Sequence, residues 1–165
     1  MNCLMCGSKL KKEKKKLYHY TECGLSRIYL NGVEVYECTN PECGDEEIVI
    51  PNIEKLHEVI ALDVASQKNK LLPEEIKFLR SYLGFSGADF ARKIGVFPET
   101  VSRWEKGTVH MKESVERFLR VLVLIKVGLF RSYDELENFA TTERKTPVRR
   151  EFYTRKQEWK SKVAA

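Results

Sequence analysis

Two short loops gather four of the chain's five cysteines. Cys3-Leu-Met-Cys6-Gly7 and Cys38-Thr-Asn-Pro-Glu-Cys43-Gly44 each place a second cysteine directly before a glycine, a pattern that turns the backbone tightly around a metal. Thiolates from Cys3, Cys6, Cys38 and Cys43 in tetrahedral array suit one Zn2+ per chain. Four sulfur ligands close the coordination shell and leave no position for a reactive water, so the expected role is structural. A disulfide is the weaker reading, because a cytosolic chain keeps its thiols reduced and a bridge between cysteines so close in sequence is strained. Cys23, in the strand-like segment YHYTECG, has no second cysteine at this spacing and reads as a small buried hydrophobe first and a substitute ligand second. His19, His57 and His110 form no ligand pairs with one another by spacing.

A second chemistry is written at 96–107, VFPETVSRWEKG, which reads as the turn and recognition helix of a helix-turn-helix. The preceding helix lies in FSGADFARKIG, 85–95, where Ser86 is the N-cap, Asp89 closes an S-x-x-D box and Gly95 ends the helix. Pro98 occupies the first helical position of the next helix, where its fixed φ helps and its missing N–H costs nothing, and Gly107 ends it. Arg103 is the expected base reader. Glu99 stands beside it for bases, Thr100 and Ser102 for bases or phosphates, and Ser86 marks a helix start whose N–H groups suit phosphate. Arg92, Lys93 and Lys106 are phosphate partners, and serve equally as solvated surface charge. Val101 and Trp104 read as packing between the helices.

The elements that must position these groups follow from periodicity. Ile28 and Leu30 before Asn31-Gly32, with Val33 and Val35 after, predict a hairpin with a type I′ turn. Residues 46–51 add a short strand, giving a small β domain over 1–65 whose thin core leaves metal binding to supply much of its folding free energy. From Asn52 the period changes, and Ile53, Leu56, Ile60 and Val64 predict a connecting helix. Residues 66–72 are the expected linker or hinge, although a surface loop within one unit has the same composition. Leu72-Pro73-Glu74-Glu75 opens a further helix with Ile76, Leu79 and Leu83 as its stripe. After 107, Val115, Phe118, Leu119, Leu122 and Ile125 form an apolar face wider than one core needs, which predicts a homodimer or else a buried central helix. A capped helix is expected over 132–140. The domain of 73–140 is therefore all-α, and the fold class is α+β. The basic tail, 141–165, reads as a docked helix or as a disordered arm that folds on DNA.

Composition sets the outer bounds. The 165 residues carry a net charge of +5, with basic stretches at 9–16 and 144–162 and an acidic one at 42–47. The longest apolar run, 121–127, is too short for a bilayer and contains Lys126, and no apolar stretch precedes Cys3, so a cytoplasmic chain without a membrane partner is expected. An enzyme ranks lowest: the pattern offers no open metal site, paired carboxylates or nucleophile and base.

The Cys-x2-Cys-Gly start, the SRWEKG segment and its flanking helices together resemble the MqsA antitoxins, YgiT-type zinc finger proteins with an Xre-family helix-turn-helix, over residues 1–140. That resemblance implies a structural zinc, an N-terminal domain that clasps a ribonuclease toxin, and a C-terminal domain that dimerises and represses its own operon. Arg103 matches the family's major-groove arginine, for which bidentate contact with guanine is worth ~1–3 kcal/mol of discrimination. Glu99 stands where the family has an adenine-reading asparagine, and as an acceptor it suits cytosine N4, so the operator differs. Gly87 stands where many Xre-family proteins carry a phosphate-gripping glutamine. A stand-alone zinc-containing repressor without a toxin is the alternative.

Overall fold

The computed structural model describes residues 1–13, 17–129 and 146–162. The helix expected over 132–140 lies outside them. Seven strands and five helices make a mixed α+β architecture among the described residues. Strands β1 (Leu10–Glu13), β4 (Glu34–Cys38) and β5 (Glu46–Val49) form an antiparallel sheet in the order β1-β4-β5. A second sheet runs β2-β3-β6-β7, from β2 (Tyr18–His19), β3 (Ile28–Asn31), β6 (Arg150–Arg155) and β7 (Glu158–Lys162). Between them in sequence come α1 (Ile53–Ser66), α2 (Pro73–Tyr82), α3 (Gly87–Ile94), α4 (Pro98–Glu105) and α5 (Glu113–Lys126).

The hairpin expected at Asn31-Gly32 does not form. β3 and β4 belong to different sheets, and the chain passes from one to the other at Gly32. Both edges of β3 are already taken, by β2 antiparallel and by β6 parallel, so β4 has no edge to pair with. Asn31 lacks the positive φ that a type I′ turn requires of both central residues. Gly32 is needed for a different reason: at φ 86°, a Cβ there would sit 2.8 Å from the Thr154 carbonyl oxygen of the neighbouring strand. Ile28, Leu30 and Val35 nevertheless all reach one buried core, as their alternation indicates.

The tail is neither a helix nor a disordered arm over its described part. Residues 150–162 form a hairpin whose first strand extends β3 in parallel register, Leu30 opposite Phe152. Phe152 and Trp159 are buried, and Trp159 Nε1 donates to the Pro51 carbonyl oxygen at 2.7 Å. The two-residue loop, Lys156 and Gln157, has φ of 52° and 64°, the signs a type I′ turn demands, without the Asn-Gly that usually announces one.

α1 begins as expected at Asn52, whose side-chain oxygen accepts from Lys55 N at 3.3 Å, and it buries Leu56, Ile60 and Val64. α2 buries Ile76 and Leu79, and α5 buries Leu119 and Val123. The connection from 67 to 72 is pinned on two sides. Arg120 of α5, fully buried, donates to the carbonyl oxygens of Ala65, Gln67 and Asn69 at 2.9, 2.5 and 2.5 Å and to Glu116 at 2.7 Å. Glu116 in turn accepts from Leu71 N at 3.1 Å. Arg150 of β6 donates through Nε to Asp63 at 2.8 Å, and through Nη2 to Glu75 at 2.8 Å and to Gln67 Oε1 at 2.6 Å. The other Glu75 oxygen accepts from Leu72 N and Gln67 Nε2 at 2.8 and 2.9 Å.

Removing one member of such a buried pair strands the other in low dielectric, so Arg150→Ala is expected to lower unfolding free energy by ~3–5 kcal/mol, read from urea denaturation. A loss under about 1 kcal/mol would mean that the tail does not bury Glu75. A second expectation concerns pH. Burial raises the Tyr20 phenol to about 12, and its protonated oxygen shares a hydrogen bond with His57 Nε2 at 2.8 Å. Burial also holds the His57 imidazole below its ordinary value. A folded pKa below the unfolded one leaves this contribution intact above about 6.5 and removes it as pH falls toward the folded value. From about pH 7.5 to about 5.5, the urea midpoint of the wild type should therefore fall further than that of His57→Gln. Equal slopes would show that His57 is not held neutral.

Candidate metal centre and nucleic-acid face

The antiparallel register of β1 and β4 sets Leu10 opposite Cys38 and so brings the N-terminal cysteine loop against the second one. In the first loop Cys3 N donates to the Ser8 carbonyl oxygen at 2.8 Å, Gly7 N donates to that of Cys3 at 2.9 Å, and Gly7 takes φ 74°. In the second, Cys38 N donates to Asp45 O at 3.0 Å, Cys43 N to Asn40 O at 3.1 Å, and Gly44 takes φ 61°. The longer Cys-x4-Cys spacing thus closes into a comparable turn, with its glycine in the same left-handed region.

All four sulfurs lie within 4.8 Å of one another. Cys6 and Cys38 are 3.4 Å apart and Cys3 and Cys43 3.8 Å. A tetrahedron with metal–sulfur bonds of ~2.3 Å has edges of about 3.8 Å, so four soft donors stand where a tetrahedral ion needs them. Asn40 N donates to the Cys38 sulfur at 3.4 Å, an outer contact that orients a ligand. Hydrogen bonds from the Ser8 side chain and backbone, then from Cys38, lower the Cys6 thiol to about 6. A metal held here would fix the ends of β1 and β4 and supply no open coordination position.

Cys23 is elsewhere: it packs against the hydrophobic core, with its sulfur 3.9 Å from the Tyr20 carbonyl oxygen, and burial raises its pKa. Two acidic neighbours were not singled out in the sequence. Asp45 accepts from the Cys3 thiol at 3.4 Å, and Glu47, which accepts from Leu4 N at 3.0 Å, completes a further cluster with Cys3 and Asp45. The acidic run 42–47 was their only signal.

The second set of candidate residues lies on α3 and α4, joined by residues 95–97. Ser86 caps α3, accepting from Asp89 N at 3.0 Å and donating to Asp89 Oδ2 at 2.6 Å, so its hydroxyl is engaged at the helix start. Gly95, at φ 71°, ends α3, and Pro98 opens α4. Val101 and Trp104 are buried, which turns Glu99, Arg103 and Lys106 outward, with Thr100 and Ser102 half-buried between. Arg80 of α2 holds the base of α4 through a two-pronged pair with Glu105, at 2.5 and 3.2 Å. Arg92 is exposed and pairs with Asp89 at 3.1 Å, and the Lys93 ammonium lies 5.1 Å from the Phe85 ring. Phe97 is 77% exposed in the turn between α3 and α4.

Comparison with protein families, curated proteins and solved structures finds no match. No helix among the described residues is long and apolar enough to cross a membrane.

Four clustered sulfurs with Cys23 outside them make a sharp expectation for metal content by mass spectrometry. Cys38→Ser should lose most of the bound metal, whereas Cys23→Ser should retain one ion per chain. Full metal in the first variant, or loss in the second, would contradict the assignment.

Proposed function

We propose that the protein is a sequence-specific double-stranded DNA-binding regulator. In this reading α3 and α4 act as a helix-turn-helix, and α4 enters the major groove. The observation that carries it is the sidedness of α4: Val101 and Trp104 face the core while Glu99, Arg103 and Lys106 face solvent. Arg103 reads guanine through O6 and N7, and Glu99 accepts from cytosine N4. Thr100, Ser102, Arg92, Lys93 and Lys106 contact bases or phosphates around them, and the helix start at Ser86 offers backbone N–H groups. The exposed Phe118, Ile125 and Leu129 on and after α5 favour a homodimer, which would present two copies of α4 to successive major grooves.

The metal is Zn2+, held as a closed structural site by Cys3, Cys6, Cys38 and Cys43. By its resemblance to the MqsA antitoxins, the protein works in the cytoplasm, neutralises a ribonuclease toxin through its N-terminal part and represses its own operon.

The test has two arms. With duplex DNA from upstream of its own coding sequence, Arg103→Ala should weaken binding about ten-fold or more while metal content stays unchanged. Equal affinity in the variant would remove α4 as the reading element. Separately, the neighbouring open reading frame should arrest growth when expressed alone and be relieved by co-expression. A harmless neighbour that does not bind would leave an autonomous repressor.

A further inference from the structure

The outer face of the β2-β3-β6-β7 sheet is aromatic and basic in a way the duplex-binding reading does not use. Cross-strand pairs set the face: His19 stands opposite Tyr29, Asn31 opposite Tyr153, Tyr153 opposite Lys160, and Glu151 opposite Lys162. The inward positions of the same strands, Ile28, Leu30, Arg150 and Phe152, are buried, so alternation turns these cross-strand partners to the other side.

On that side the groups form a stack. The His19 ring lies on Tyr29 with centroids 4.7 Å apart and planes 15° from parallel. The Arg149 guanidinium carbon sits 4.3 Å from the Tyr29 centroid. His19 Nε2 donates to the Ser26 carbonyl oxygen at 2.8 Å, which fixes the imidazole plane. Tyr153 is 39% exposed, one strand away from the column. Arg149 and Lys162 both pair with Glu151, at 3.0 and 3.2 Å, so a single carboxylate serves two cations, and Lys160 is exposed beside them.

We propose that this face binds single-stranded nucleic acid, with bases stacking on Tyr153 and on the outer surfaces of the His19–Tyr29–Arg149 column. Lys160 and Lys162 take the phosphates. Flat rings and a guanidinium plane accept any base by its π-face, and the surrounding cations match the backbone charge. An acidic polypeptide would meet the cations but leave the ordered stack without a purpose. A duplex keeps its bases inside and could use only the charge. The surface depends on the C-terminal hairpin, since β6 and β7 contribute Tyr153, Lys160 and Lys162 and the approach to β6 contributes Arg149.

The test is fluorescence anisotropy of a short labelled oligouridylate with the full chain at low salt. Tyr153→Ala and Arg149→Ala should each weaken binding by about five-fold or more, and Lys160→Ala/Lys162→Ala should flatten its salt dependence. Circular dichroism and metal content report folding, and Tyr153→Phe should restore binding. Arg103→Ala should leave single-strand affinity unchanged, which separates this surface from the duplex-binding one. Absent binding, equal affinity in Tyr153→Ala with fold intact, loss of single-strand binding in Arg103→Ala, or competition by polyglutamate as effective as by unlabelled RNA would each overturn the proposal.

Discussion

The buried ion layer around residues 63–75 is the constraint on which the rest of the structure depends. Arg120 and Glu116 come from α5, Asp63 from the end of α1, Glu75 from the first turn of α2 and Arg150 from β6. Arg120, Glu116, Glu75 and Arg150 are buried, with Asp63 half-buried at the edge, and the buried charges survive there only because their partners are in place. Arg120 also takes the carbonyl oxygen of Ala65 in the last turn of α1 and those of Gln67 and Asn69 in the connection between α1 and α2. A composition suited to a hinge is thereby held in one conformation. The same layer locates the C-terminal hairpin, because any other docking would leave Glu75 or Arg150 buried without its counter-charge.

From this layer the two chemically equipped regions are carried outward. Along α2, Glu75 sits in the layer and Arg80 grips Glu105, so the base of α4 is fixed to the element that the layer anchors. α1 runs back toward the sheets, with Tyr20 against His57 and Trp159 against Pro51 tying β-structure to its first turns. The four-cysteine cluster, a candidate metal site, lies beyond, at the ends of β1 and β4. Its closed donor set suits it to hold loops, and the outward side chains of α4 suit that helix to meet a ligand.

What the sequence reveals is what is local. The cysteine-glycine loops, the Ser86 cap, the Gly95 break, Pro98 and the inward Val101 and Trp104 all depend on neighbours within a few residues, and the structure has each of these features. The misreadings concern partners far along the chain. Asn31-Gly32 carries the chemistry of a tight hairpin, but β6, more than a hundred residues later, occupies the edge that would have made it one. The tail's apolar residues Val148 and Phe152 are four apart, an even spacing that a strand and a helix both satisfy, and Phe152, Tyr153 and Thr154 favour the strand once β3 offers an edge. Arg120 and Arg150 look like surface charge in the sequence, since nothing local indicates that carbonyl oxygens and carboxylates will converge on them.

The central claim is that α4 reads base edges in the major groove, and methylation interference at guanine N7 tests it most directly. With duplex from upstream of the coding sequence, recognition through Arg103 predicts that methylation of a guanine in each of two half-sites, about one helical turn apart, abolishes binding. Binding indifferent to guanine methylation, or equally strong on unrelated duplex at the same salt, would contradict it.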